Sequence, residues 1–217
     1  MFNLGKRKKS REEFDIFMKR LIVGASKVSF GKVIKSSTGF EILKLESENR
    51  NLALEIKTFL EENLDQISKL VERNYNGRAN ELSNYLETFL INYMKRQNKF
   101  EIYRPNNSSQ HTQTAGYPDY IVKSKKSFIY AELKTYQDKT ASSSLRSFYY
   151  KPSENNKITS SAPHILIGFN VESKGGENKS PFKIKGVKVL DLYNLKVTLK
   201  PEFNANNIDI YAGCEPI

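Results

Sequence analysis

The chain has 217 residues, 38% of them hydrophobic and 12% aromatic, which suffices for one substantial core. Its 35 lysines and arginines outnumber 24 aspartates and glutamates, and the formal charge of +11 favours a polyanionic partner without specifying any chemistry. No apolar run approaches the roughly 18 residues of a transmembrane helix, and the single cysteine, Cys214, excludes an intramolecular disulfide and a cysteine-built zinc site.

Residues 1–11 are basic and are followed by Glu12, Glu13 and Asp15 instead of an apolar signal core, so a cytoplasmic location is expected. Phe14, Phe17, Met18, Leu21 and Ile22 then recur at helical spacing. Residues 28–45 read as a short β-rich region, with Gly24, Gly31 and Gly39 as punctuation. Residues 52–71 predict one amphipathic helix with a stripe of Leu52, Ile56, Leu60, Leu64, Ile67 and Val71, ended by residues 74–77. A second helix is predicted over residues 79–97, with Leu82, Leu86, Phe89, Leu90 and Tyr93 on its buried side. Residues 1–75 are accordingly an N-terminal helical region, for dimerisation or DNA contact, and residues 76–217 a core, together one compact unit. No glycine-rich phosphate loop occurs, so no nucleotide cofactor is expected.

Residues 103–114 are unusually polar, with Asn106, Asn107, Ser108, Ser109, Gln110, His111, Thr112 and Gln113 in succession. Asn and Gln make bidentate contacts to adenine, and hydroxyls contact bases or phosphates. Asn107, Gln110, His111 and Gln113 are therefore candidate DNA contacts, the alternative being a plain solvent-exposed connector. His111 and His164 are too far apart in the sequence to suggest a histidine metal cluster.

The most informative stretch follows. Pro118-Asp119 precedes a strand at residues 120–122, a polar turn at 123–126 and a second strand at 127–136 containing Glu132-Leu133-Lys134. Alternation puts Phe128, Tyr130, Glu132 and Lys134 on one face and Ile129, Ala131 and Leu133 on the other. An acid and a lysine inside an apolar strand are costly to desolvate unless paired. A divalent metal held by Asp119 and Glu132 would compensate; the alternative is an edge hairpin with a solvated charged face.

Pro-Asp, a spacer and Glu-x-Lys resemble the PD-(D/E)XK nuclease superfamily, which includes most type II restriction endonucleases. The resemblance implies that Asp119 and Glu132 bind Mg²⁺ and that Lys134 positions or activates the attacking water. Mg²⁺ prefers carboxylate oxygens and retains several waters, so two acids suit it. The resemblance also implies an acidic residue on the helix preceding the hairpin, for which Glu81 and Glu87 compete. Glu87 is favoured, because it flanks the apolar stripe while Glu81 lies near the helix start, where acids are common dipole partners. It further implies a restriction-endonuclease-like α/β core, double-stranded DNA as substrate, 5′-phosphate ends, a homodimer and a cognate DNA methyltransferase in the same system.

Past the hairpin, Lys139, Ser142, Ser143, Ser144, Arg146 and Lys151 are interleaved with Phe148, Tyr149 and Tyr150, as suits a phosphate-tracking segment with Arg146 at a guanine edge, the alternative being a surface helix with an aromatic anchor. Residues 162–171 read as a buried central strand, with His164 a hydrogen-bonded structural residue. Residues 182–192 alternate Lys183, Lys185 and Lys188 with Ile184, Val187 and Val189, a strand with one face toward phosphate, and residues 195–199 pair nearby. The whole is an α/β domain with a mixed sheet around the hairpin. A type II restriction endonuclease accounts for the motif, the basic charge, the small single-domain length and the polar loops. A junction resolvase or repair nuclease needs less base-reading apparatus, and a non-enzymatic DNA-binding protein leaves the carboxylates without a purpose.

Overall fold

Phe30 and Ile34 are fully buried one helical turn apart, and Phe30–Thr38 is an α-helix (α1) in the computed structural model, where the sequence predicted β structure. Two short strands flank it, Val28–Ser29 (β1) and Ile42–Leu43 (β2). Burial of one helical face outweighs the β preference of Val33 and Ile34. Gly39, at φ +81°, donates its N–H to the Lys35 carbonyl and ends the helix in the left-handed conformation.

The structure describes residues 27–113, 115–140, 142, 148–176 and 179–199, with residues 13, 15–19, 204, 208 and 212. It divides into two compact units, residues 1–29 with 196–217 and residues 30–195. In the smaller unit β1 pairs antiparallel with Lys196–Val197, and residues 13 and 15–19 are helical.

In the larger unit the helix predicted over 52–71 is two, Ser47–Glu62 (α2) and Leu64–Asn74 (α3). Asn63 separates them. Its amide donates to the Phe59 carbonyl at 2.8 Å and its Oδ1 accepts the Tyr93 hydroxyl at 2.9 Å, a local side-chain alternative to the helical ladder. The apolar stripe nevertheless continues through buried Leu52, Ile56, Leu60, Ile67 and Val71. Leu82–Arg96 (α4) buries Leu82, Leu86, Leu90 and Tyr93 as the periodicity requires.

The sheet has six strands. Glu101–Tyr103 (β3), Tyr120–Lys123 (β4) and Phe128–Tyr136 (β5) form an antiparallel meander. β5 then runs parallel to Ala162–Ser173 (β6), whose other edge takes β2 in parallel and Phe182–Asp191 (β7) antiparallel. β5 is therefore an interior strand, not the edge hairpin that was the alternative. Ile129, Ala131 and Leu133 join Ile165, Ile167 and Phe169 of β6 and the stripes of α2, α3 and α4 in one core. This mixed sheet with flanking helices is the restriction-endonuclease-like α/β architecture that the motif implied. Among the described residues no helix is long and apolar enough to cross a membrane.

The other face of β5 carries an aromatic cluster. The Phe30 ring meets Tyr117 and Phe148 edge-on at 5.3 and 5.2 Å between centroids, and His164 lies 4.9 Å from Tyr130 and 5.6 Å from Tyr117. His164 is wholly buried and its Nδ1 shares a 2.5 Å hydrogen bond with the Tyr117 hydroxyl, the structural part the sequence suggested. Burial lowers its pKa to about 3, so the ring is neutral in the fold. The native state then binds fewer protons than the unfolded chain between about pH 3 and 6.5. Stability from this residue is complete above pH 6.5 and should fall on acidification by up to about 1.4 kcal/mol per pH unit. In denaturant unfolding from pH 7 to 4, wild type should lose stability relative to His164→Gln as the pH falls. Identical slopes would mean that His164 is not the residue that must charge.

Candidate active site

Strand register brings the two acids together. Tyr120 lies opposite Ala131, and the Asp119 N–H donates to the Ala131 carbonyl at 3.1 Å, so one further step sets Asp119 across from Glu132. Gly116, at φ +84°, turns the chain into this approach. Asp119 Oδ2 accepts the Leu133 N–H at 2.8 Å, which fixes the carboxyl against β5. Lys134 Nζ donates to Glu132 Oε1 at 2.6 Å, two residues along the same face.

The site is desolvated, and its electrostatics follow from that. Glu132 is 4% exposed. Burial pushes its carboxyl up to about 7, with the Asp119 charge adding to the effect and Lys134 opposing it. Asp119 is also raised by burial, against the Leu133 N–H and the charges of Lys134 and Lys157. Burial pulls Lys134 down, but the charge and hydrogen bond of Glu132 hold it above its ordinary value as an ammonium. The two carboxyls can share a hydrogen bond when one is protonated; with both ionised, Glu132 Oε2 is buried without a donor.

Glu87 projects from α4 into the same field. Burial raises its carboxyl, Asp119 adds to the shift, and Arg104, Lys134 and Lys157 oppose it. Glu81 is exposed at the N-cap of α4 and acts instead on Tyr75. Among the described residues no three His, Cys, Asp or Glu side chains gather closely enough to hold a metal by themselves. Two hard carboxylates, one with a buried oxygen that lacks a donor, fit a cation that draws its remaining ligands from water and substrate. Lys157 of the β5–β6 loop is buried beside these acids and was not singled out from the sequence.

The polar loop is ordered by one of its own residues. Asn107 is buried, its Oδ1 accepts the N–H groups of Ser109 and His111, each at 3.0 Å, and its amide reaches Gln113 at 3.4 Å. Gln110 and His111 are exposed and Gln113 half-buried. Lys139 is exposed in the 3₁₀ turn Asp138–Thr140, as is Ser142 beyond it, while Ser143, Ser144 and Arg146 lie outside the described residues.

On β7, Lys188 shares a cross-strand row with Gly168 and Lys134 and sits 5.2 Å from the Tyr136 ring centroid. Lys183 is exposed opposite Glu172, and Lys185 lies 3.6 Å from Asp138 and 3.8 Å from Glu172.

The sequence was compared with known families and curated proteins. The model of the type II restriction enzyme MjaV family matches residues 23–214. The chain is 28% identical, over 218 aligned positions covering 92% of each protein, to the type II restriction enzyme MjaV of Methanocaldococcus jannaschii.

Proposed function

Since the chain belongs to the type II restriction enzyme MjaV family, we propose that it is a cytoplasmic, Mg²⁺-dependent endonuclease that cuts both strands of DNA at a short specific sequence and leaves 5′-phosphate ends. The observation that carries this reading is the pair of half-buried Asp119 and buried Glu132, set side by side by register, with Lys134 on one Glu132 oxygen and no donor on the other. Asp119 and Glu132 would hold Mg²⁺, which when bound lowers the pKa of a water and offsets charge building on the phosphate oxygens. Lys134 keeps its proton and presents a positive charge beside the attacking water. Glu87, within the field of Asp119 and Lys134, supports the pair from α4. A palindromic site is met by two copies about a shared axis. The active species is then a homodimer, residues 1–75 contribute interface or DNA contacts, and a cognate methyltransferase shields host DNA.

Plasmid incubated with the protein should yield discrete fragments with ligatable 5′-phosphate ends in Mg²⁺ and none in EDTA. No cutting, or cutting of branched DNA alone, would overturn the reading.

Base reading falls to the exposed part of the polar loop, Gln110, His111 and Gln113, while Asn107 frames the loop from within. Truncating a base-reading side chain should cost about 1–3 kcal/mol on the cognate duplex and little on a scrambled one. Lys139, Ser142, Lys183 and Lys188 are assigned to phosphate, and Lys185 shares its charge with Asp138 and Glu172. Alanine at Lys183 or Lys188 should weaken binding to both duplexes and flatten the salt dependence. Titrations at several salt concentrations separate the two classes; equal losses on both duplexes for the loop variants would move recognition elsewhere.

A further inference from the structure

Lys157 is the one buried lysine among the described residues, 2% exposed, and its Nζ has no hydrogen-bond partner. The backbone around it is pinned from both sides. The Ser108 N–H donates to the Asn156 carbonyl at 2.9 Å, the Thr159 N–H donates to the Tyr130 hydroxyl at 3.1 Å, and the Ile158 side chain is buried. Burial lowers the Lys157 pKa, and the charges that act on it are those of the site: Asp119, Glu132 and Glu87 favour its ammonium, and Arg104 opposes it. A desolvated ammonium without a partner costs several kcal/mol, and the fold holds this one in place without supplying the partner. Lys134, by contrast, is already bound to Glu132. An anion entering the site therefore finds Lys134 engaged by Glu132 and Lys157 without a partner.

We propose that Lys157 is a second catalytic cation, whose Nζ contacts a non-bridging oxygen of the scissile phosphate. This rests on the reading of Asp119, Glu132 and Lys134 as the hydrolytic site. In the step it serves, a water oxygen bonds to phosphorus and gives up a proton, the P–O3′ bond breaks, and the 3′ oxygen takes up a proton. Lys157 offsets the charge on the equatorial oxygens while that exchange occurs, which makes it stronger in the transition state than in the bound substrate.

The test uses the full chain as wild type, Lys157→Met and Asp119→Asn. Three readouts are needed: single-turnover cleavage of plasmid in Mg²⁺ at saturating enzyme, affinity for the cognate duplex in EDTA, and thermal melting without DNA. Lys157→Met has nearly the same volume and removes an unpaired buried charge, so it should melt at the same temperature or higher. It should cleave about 100-fold more slowly or worse, with affinity changed less than about tenfold. A structural lysine behaves in the opposite way: a lower melting temperature for Lys157→Met, or a failure to fold, would overturn the proposal. So would wild-type cleavage by a well-folded variant. Cleavage retained by Asp119→Asn would remove the hydrolytic-site reading and this proposal with it, whereas an inactive Asp119→Asn beside an active Lys157→Met would remove Lys157 alone.

Discussion

Asp119→Ala and Glu132→Ala should each abolish Mg²⁺-dependent cleavage while leaving metal-free binding of the cognate duplex unchanged or tighter. On the proposed assignment each truncation removes a metal ligand and also a negative charge near phosphate. Metal-assisted stabilisation is worth several kcal/mol, so the loss should reach about 10³-fold or more. The two positions differ in stability. Asp119 Oδ2 accepts the Leu133 N–H, so Asp119→Ala strands that donor at a cost of about 1–3 kcal/mol, whereas Asp119→Asn retains an acceptor and removes a half-buried charge. The pH dependence carries a sign. The folded Glu132 value of about 7 exceeds the ordinary 4.5, so its protonated form favours the fold at low pH and this contribution is lost as pH rises through about 7. Between about pH 4.5 and 6.5 this contribution opposes that of His164, so it shows as a difference: in the absence of metal Asp119→Asn should lose less stability than wild type as pH rises through about 7, and Mg²⁺ should raise the melting temperature more at pH 8 than at pH 5.5. Near-normal cleavage by either alanine variant would sink the metal assignment.

What the sequence made legible was the part governed by local periodicity. Alternation along residues 127–136 set Glu132 and Lys134 on one face because a strand has a period of two wherever it sits. Register then brought Asp119 to Glu132, since a short polar turn leaves a hairpin few alternatives. Glu87 was legible as the flank of an apolar stripe. The failures share a cause of another kind. Phe30–Thr38 carries β-branched residues and a glycine, and the burial of Ile34 and of Phe30, whose ring meets distant aromatics, makes it helical. Asn63 breaks a continuous stripe by bonding to Phe59 and Tyr93, the second of these thirty positions away. Lys157 lies in a polar loop with no period to read. The backbone on either side of it is held by Ser108 and Tyr130, which no local pattern connects to it. The polar loop was recognised by composition, but composition did not separate Asn107, which organises it, from Gln110 and His111, which face outward.

Lys134→Ala should lower single-turnover cleavage by about two to three orders of magnitude with little loss of duplex affinity, because its charge acts on the nucleophile and transition state. Two routes to that loss are separable. On the proposed assignment Lys134 acts on the attacking water through its own charge, and it also holds Glu132 toward its ionised form through the 2.6 Å bond and the charge on Nζ. Without Lys134 the Glu132 carboxyl rises further, so the indirect part of the loss should recover as pH is raised from 7 to 9 and as Mg²⁺ is increased. The direct part should stay. Lys134→Arg should not restore the rate, since a planar fork beside Glu132 occupies the space of a compact ammonium and its water. Rates at saturating enzyme across that pH range, for wild type and both variants, give the division. Complete recovery of Lys134→Ala at pH 9 would reduce Lys134 to a residue that tunes Glu132, and an unchanged rate at pH 7 would remove it from the mechanism.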